Sequence, residues 1–531
     1  MTWVVIVADR VADAGLALLH QAPGVEVVSV VGDGAALRRA LPRAHALLVR
    51  SDTLVTAELI DLAPELRVIG RAGAGVDNID VAVATRRGIP VLNAPGANTV
   101  SAAEHPLALL FALVRRIPWA AQSMREGAWD RKSFAGIELR GKTLGVIGLG
   151  RIGAHVARVA RAIGMTVVAH DPYLPAQRAE DLGVVLRPLD DVLAAADVVT
   201  LHMALTETTR HLLDRARLAR MKRGAVLVNA ARGELVDEAA LVEAVKTGHL
   251  AGAAVDVFAA EPLPADSPLR AESRLLLTPH LAASTKEAQD RTALEICQAV
   301  LDALDTGDVA GAVNVTGVSS EAIRRLGPLQ DLARRVGRLA ALLAAGRVAE
   351  VDVEYGGVDD QAPRVAKLAA VEGLLGAMGV GPVSMINAQP LAEERGMRLS
   401  RRKAAPVPGY ETTVAVTLRG AGTDTSVAGA LVGDRGRIVR IDGFAMDVPA
   451  EGQLIVLRNR DVPGVIGRVG SVLGDAGMNI GVYHQSRRPE DGMALAAIGV
   501  DQPPGAEVVA RLVGLPEVTD VKLVTLDGLA P

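Results

Sequence analysis

One cysteine in 531 residues leaves no partner for an intrachain disulfide and no thiolate set for zinc. Cys297 lies in a helical stretch (A-L-E-I-C-Q-A-V-L) and reads as a small core residue, and no metal is expected. Aromatic residues are scarce, at 2 %. A chain this poor in aromatic faces has no platform for stacking bases, and its cores must be built from Val, Leu, Ile and Ala. Positive charge is not in excess either: 57 Lys and Arg stand against 61 Asp and Glu, a formal net charge of −4. That lacks the basic field by which proteins hold a nucleic-acid backbone. No apolar run approaches the roughly 18 residues of a membrane span. The N-terminal M-T-W-V-V-I-V-A-D-R is too short for a signal sequence and reads as a first strand. Together these absences predict a cytoplasmic protein of three or four globular domains, without nucleic-acid or membrane partners.

What is present is organised around Lys142 to Asp171. An apolar run (Leu144, Val146, Ile147) enters G-x-G-x-x-G at Gly148, Gly150 and Gly153, and a helical pattern follows, with Ile152, Val156, Val159, Ala160 and Ile163 on one face. A second apolar run, Val167 to Ala169, leads to Asp171, which follows Gly153 by 18 residues. The three glycines differ in what they permit. Gly148 allows the tight turn, Gly150 lets backbone approach a pyrophosphate, and Gly153 lets the helix sit close to the strand. The helix N-terminus offers unpaired N–H groups to phosphate. The acid stands near the distance at which a carboxylate reaches ribose hydroxyls, where it would repel a 2′-phosphate. The cofactor expected is therefore NAD rather than NADP.

Before this unit, apolar runs at Val4–Val7, Val25–Val30, Ala46–Arg50, Arg67–Gly70 and Val91–Asn93 alternate with helical stretches, the pattern of a parallel sheet covered on both faces. Arg50 and Arg71 fall at strand ends, where parallel sheets bind ligands. Their forks suit carboxylate or phosphate, although surface salt bridging would also account for them. Asn98 to Arg116 is a long helical pattern that Asn98 or Ser101 could cap. His105 lies inside it beside Pro106, with no acid apparent to orient its ring, and reads as structural. Arg131 and Lys132 form a basic pair within R-E-G-A-W-D-R-K-S-F, most simply a solvated turn.

After Asp171 the rhythm continues with strands at Asp197–His202, Val226–Asn229, Ala251–Phe258 and Leu275–Thr278. Arg232, Glu261 and His280 each fall just past a strand end, on the edge that would hold a nicotinamide. Hydride leaves a carbinol carbon only as the hydroxyl proton also leaves. An imidazole, with an ordinary pKa of about 6.5, suits that proton near neutrality. A neighbouring carboxylate fixes its tautomer, and a guanidinium binds a substrate carboxylate through two parallel bonds. A 2-hydroxy acid is the substrate these groups fit.

The motifs G-R-A-G-A-G-V-D-N-I-D, G-L-G-R-I-G, N-A-A-R-G, D-V-F-A-A-E-P and T-P-H-L-A-A-S-T-K-E-A span roughly the first 315 residues. On these the chain resembles the D-2-hydroxyacid dehydrogenases, and within them the long-form D-3-phosphoglycerate dehydrogenases. The resemblance implies an Arg232–Glu261–His280 catalytic set and NAD contacts at Arg151, Ile152, Asp171, Ala230, Arg232, Asp256 and His280, besides the glycine turn. It implies substrate contacts at Arg50, Arg71, the Gly73, Ala74 and Gly75 turn, and Arg131, with Arg131 and Lys132 contributed by a neighbouring subunit of a homotetramer. The substrate implied is 3-phosphoglycerate. A dehydrogenase for an unphosphorylated D-2-hydroxy acid and a non-enzymatic NAD sensor are the alternatives.

From about Val318 the loops turn Gly- and Arg-rich and no catalytic motif appears. Residues 318–451 resemble the family's intervening domain; their basic run R-L-S-R-R-K reads as a solvated face, with an effector-anion site as the rival. Residues 452–531 read βαββαβ, the order of an ACT domain, with R-D-V-P-G-V-I-G as its loop. There Asp461, Asn479 and Ile480 are the expected effector contacts, and the resemblance implies L-serine as effector. Asn459 stands where that loop is frequently aromatic. The fold expected is therefore α/β: two Rossmann- or flavodoxin-like doubly wound domains, an α+β intervening domain and a ferredoxin-like ACT domain. The boundaries expected are 1–97 with 282–317 for the substrate-binding domain, then 98–281 for the NAD-binding domain, 318–451 and 452–531.

Overall fold

The computed structural model describes residues 2–307, 309, 311–315, 318 and 320–527. The expected boundary at 317 and the final residues of the last expected domain lie outside them. Two compact units result: residues 1–11, 16–93 and 296–531 form one, and 12–15 with 94–295 form the other.

In the first unit, β1 (Trp3–Val7), β2 (Val25–Ser29), β3 (Ala46–Val49), β4 (Val68–Arg71) and β5 (Val91–Asn93) form a sheet of order β2-β1-β3-β4-β5. All its pairings are parallel. The second unit holds β6 (Thr143–Ile147), β7 (Thr166–His170), β8 (Val185–Leu186), β9 (Val198–Leu201), β10 (Val226–Asn229), β11 (Gly252–Val255) and β12 (Leu275–Leu277), ordered β12-β11-β10-β9-β6-β7-β8. It too is parallel throughout. Every residue of β9, β10 and β11 is buried, as strands covered by helices on both faces must be. The short β8 carries no strong apolar signal, and the sequence pattern misses it.

Back in the first unit, β13 (Glu350–Gly356), β14 (Arg398–Ala404), β15 (Thr412–Gly420), β16 (Thr423–Val432), β17 (Arg435–Ile441) and β18 (Phe444–Pro449) form a mixed sheet. Here β18 alternates buried and exposed residues, the mark of a sheet with one wet face. The basic run R-L-S-R-R-K is β14, an edge strand. Its register sets Arg398 against Glu350 and Arg402 against Glu354, so opposite charges face one another at both positions, while Ser400 donates to Asp352 at 2.7 Å. The last sheet, of β19 (Gln453–Arg460), β20 (Ile480–Arg488), β21 (Met493–Val500) and β22 (Val518–Thr525), is antiparallel with order β20-β21-β19-β22. With its helices Val465–Asp475 and Ala506–Val513 it has the expected ferredoxin-like βαββαβ form.

The Thr99–Val114 helix begins at Asn98, but that side chain makes no capping bond and its Oδ1 is buried without a partner. Ser101 instead pairs with Thr285 at 2.7 Å. On the mixed sheet, the helices Gly327–Leu343 and Ala362–Ala377 cross through glycine. A Cβ on Gly373 would lie 1.9 Å from the Arg334 carbonyl oxygen, and one on Gly337 would lie 2.0 Å from that of Ala370. Gly373→Ala should therefore lower stability by about 1–3 kcal/mol through overpacking, despite alanine's helix preference of about 1 kcal/mol over glycine. A fall in the denaturation midpoint checks this; an unchanged midpoint would show that the helices separate freely.

Candidate active site

Where β6 ends, Gly148 takes a left-handed φ of +90°, and a Cβ there would meet the His202 carbonyl oxygen at 2.6 Å. Gly153 is equally confined: its Cβ would lie 2.1 Å from the Gly148 oxygen. Gly150 differs. Nothing lies within 4 Å of the position its Cβ would take, and it stands at the N-terminus of the Arg151–Ala162 helix. That open cradle, with helix N–H groups at its base, fits a pyrophosphate. Ile152 is half-buried in the first turn of the helix, and packs against its hydrophobic core. At the end of β7, Asp171 is set by the turn itself: Oδ2 accepts from the Leu149 N–H at 2.8 Å and Oδ1 from the Tyr173 N–H at 3.0 Å. Each carboxylate oxygen keeps a lone pair for a ribose hydroxyl. The residues present fit NAD.

Three loops leave the same edge of this sheet. After β10, buried Asn229 closes the Ala230–Arg232 turn, donating to the Arg232 carbonyl at 2.9 Å and accepting from the Ala231 N–H at 3.1 Å. Arg232 Nη1 donates to the Ala231 carbonyl at 2.7 Å. The next residue must be glycine, since a Cβ on Gly233 would lie 2.0 Å from the Phe258 carbonyl carbon. That contact seats the arginine turn on the loop after β11. There the Phe258 N–H donates to Glu261 Oε1 at 3.0 Å, while Glu261 Oε2 lies 2.8 Å from His280 Nδ1. Burial alone would raise the Glu261 carboxyl, but the His280 imidazole and the Phe258 N–H outweigh it and hold it below its ordinary range. The His280 side chain is 46 % exposed.

Asp256, expected as a cofactor contact, is fully buried. Its Oδ1 accepts from Thr278 Oγ1 at 2.6 Å and from the Leu281 N–H at 2.9 Å, and its Oδ2 from the Ala282 N–H at 3.0 Å. His105 is not isolated from acid: its Nε2 lies 3.1 Å from Asp256 Oδ1. The two lie more than a hundred residues apart in the chain, so no local spacing exposes the pair.

In the first unit, buried Asp9 accepts from the N–H groups of Arg50 and Thr53 and from the Thr53 hydroxyl. Asn78 donates to the carbonyls of Arg50 and Thr53, each at 2.7 Å. The loop carrying Arg50 is thus pinned from both sides, by Asp9, which lies outside the motifs, and by Asn78, which lies within G-R-A-G-A-G-V-D-N-I-D. Arg71 folds back over its own turn: a Cβ on Gly73 would lie 1.5 Å from Arg71 Nη1. Asn93 donates to the Ala74 carbonyl, and half-buried Gly75 follows in the same turn. Arg131 and Lys132 are exposed on a loop that Asp130 closes by accepting from the N–H groups of Lys132 and Ser133.

Residues 107–282 match the family described as D-isomer specific 2-hydroxyacid dehydrogenase, NAD binding domain, and residues 325–442 match the D-3-phosphoglycerate dehydrogenase intervening domain. The D-3-phosphoglycerate dehydrogenase of Archaeoglobus fulgidus is 39 % identical over 98 % of this chain and 100 % of its own. That of Mycobacterium tuberculosis is 44 % identical over 94 % of each. The chain belongs to the D-3-phosphoglycerate dehydrogenase family. Among solved structures, the NAD-dependent formate dehydrogenase of Staphylococcus aureus, in complex with NAD, is 31 % identical, with a TM-score of 0.53 over 57 % of this chain and 96 % of that one. The cofactor of this family member is NAD.

In its ferredoxin-like domain, Asp461 lies 3.5 Å from Arg487, Asn479 donates to Asp501 at 2.8 Å, and Ile480 opens β20. Asn459 is fully buried, with Oδ1 lacking a hydrogen-bond partner. Its side chain is enclosed within the domain.

The glycines of this dehydrogenase should separate fold from cofactor binding. Gly150→Ala should melt like the parent yet weaken NADH binding at least about tenfold, because its methyl group fills space the phosphates need. Gly153→Ala should lower the melting temperature. Equal NADH affinity for Gly150→Ala and the parent, read by NADH fluorescence, would remove the cradle from the cofactor site.

Proposed function

We propose that this chain oxidises 3-phospho-D-glycerate to 3-phosphohydroxypyruvate with NAD, the first committed step of L-serine biosynthesis. The observation that carries the reading is the His280–Glu261 contact of 2.8 Å on the sheet edge that also bears Arg232. Bound NAD supplies the hydride acceptor. Glu261, held ionised, keeps a proton on His280 Nδ1, which leaves the Nε2 lone pair free for the substrate hydroxyl proton. As the imidazole takes that proton it becomes a cation, and the same carboxylate stabilises it. Arg232 binds the substrate carboxylate and draws electron density from the carbonyl as it forms. Arg50 and Arg71 are the proposed phosphate contacts, with the N–H groups of Gly73, Ala74 and Gly75 for the carboxylate and Arg131 from a neighbouring copy in a homotetramer. Asp461, Asn479 and Ile480 are the proposed contacts for L-serine as effector. The setting is cytoplasmic.

His280→Ala should lower kcat by roughly 10²–10⁴-fold, the usual weight of a general base, with NADH binding little changed. Near-parental turnover in a NADH absorbance assay would remove His280 from the chemistry. The same assay with phosphoglycerate and with an unphosphorylated 2-hydroxy acid tests the substrate, and added serine tests the effector. Arg71→Ala should raise KM for phosphoglycerate at least about tenfold, the effect of losing a charge-assisted contact, while sparing the unphosphorylated acid. An equal loss on both would deny it the phosphate.

A further inference from the structure

The structure contains a second histidine–carboxylate pair that the chemistry above does not use. Asp256 follows β11 and is completely buried, a position that is costly for a charge unless donors surround it. Three donors come from the short segment that follows β12: the Thr278 hydroxyl and the Leu281 and Ala282 N–H groups. That segment carries His280, whose own N–H donates to the Asp256 carbonyl at 2.8 Å and whose φ of +54° is left-handed. Histidine adopts that conformation at a cost, so something must hold it there. The Asp256 carboxylate is the post around which residues Thr278 to Ala282 are wound. The remaining neighbour comes from elsewhere in the chain: His105 Nε2, on the Thr99–Val114 helix, 3.1 Å from Asp256 Oδ1 and 3.4 Å from Thr278 Oγ1.

We propose that His105 is a positioning residue for the redox site: it completes the donor set of buried Asp256 and thereby locks the turn that presents His280. The inference rests on the reading of His280 as the base. His105 is itself unsuited to act as that base, since its side chain is 19 % exposed and its Nε2 faces the buried acid. Burial would raise the Asp256 carboxyl, but the His105 ring, the Thr278 hydroxyl and the Leu281 N–H outweigh it and keep the group ionised, able to accept from the turn. Without the His105 ring, the buried acid keeps only the donors of the turn itself, and nothing outside the turn fixes the carboxylate around which Thr278–Ala282 is wound. A base displaced by about 1 Å loses on the order of 10²-fold in rate.

The test is kcat per NADH-binding site, counted by NADH fluorescence in the full-length protein, so that misfolded molecules drop out. His105→Leu should lower kcat per site by about 10–100-fold, the loss seen when a partner that orients a reactive group is removed, with the NADH Kd retained. His105→Gln, which keeps an N–H donor, should recover most of the loss. Thr278→Val should also lower kcat. The double variant should fall little further than the worse single, because both donors act through one carboxylate. Parental kcat per site in His105→Leu, or losses that simply add in the double variant, would overturn the inference. If His105→Leu does not fold, His105→Asn, whose shorter amide cannot span the same gap, takes its place under the same criteria. His280→Ala measured alongside separates the two readings. Retained turnover there refutes the base itself, whereas its loss with unaffected His105 variants refutes only the positioning role.

Discussion

Every strand pairing in the NAD-binding sheet is parallel, and the site depends on that constraint. A parallel strand must be followed by a crossover before the next, so each strand of the sheet exits at the same edge. The glycine turn after β6, Asp171 after β7, Arg232 after β10, Asp256 and Glu261 after β11 and His280 after β12 therefore collect there without any local sequence signal directing them together. Reversing one of these strands would carry its residue to the far edge of the sheet.

Convergence alone does not set geometry; glycine and buried side chains do. Gly233 allows the arginine turn to lie against Phe258, where any side chain would collide. Phe258 in turn donates the N–H that holds one oxygen of Glu261, leaving the other for His280. The guanidinium turn and the acid–base pair are thus parts of one packed assembly. In the first unit Asp9 and Asn78 play the equivalent part for the loop that carries Arg50.

Some of this is legible in the sequence, and the rest is hidden for a physical reason. The Gly148–Asp171 unit can be read because its turn, helix start and acid are close along the chain and each needs a particular residue type. The long apolar strands can be read because burial on both faces leaves continuous Val, Leu and Ala. The strand formed by R-L-S-R-R-K escapes that pattern, since an edge strand needs no apolar period when a neighbouring acidic strand matches its charges. His105 reads as merely structural in the sequence because its partner, Asp256, comes from a remote strand end. Nothing at helical spacing from a residue reveals a contact made through the tertiary fold.

The two histidine–carboxylate pairs show how environment assigns roles to the same two side chains. His280 and Glu261 are 46 % and 37 % exposed, so both groups of that pair remain in reach of solvent. Asp256 has no exposure and His105 little. A charge that cannot be rehydrated gains most by staying fixed, and its hydrogen bonds then resist movement in whatever supplies them. Most of them are supplied by the turn bearing His280. The left-handed backbone of His280, whose N–H donates to the Asp256 carbonyl, is the point at which the exposed pair and the buried one meet.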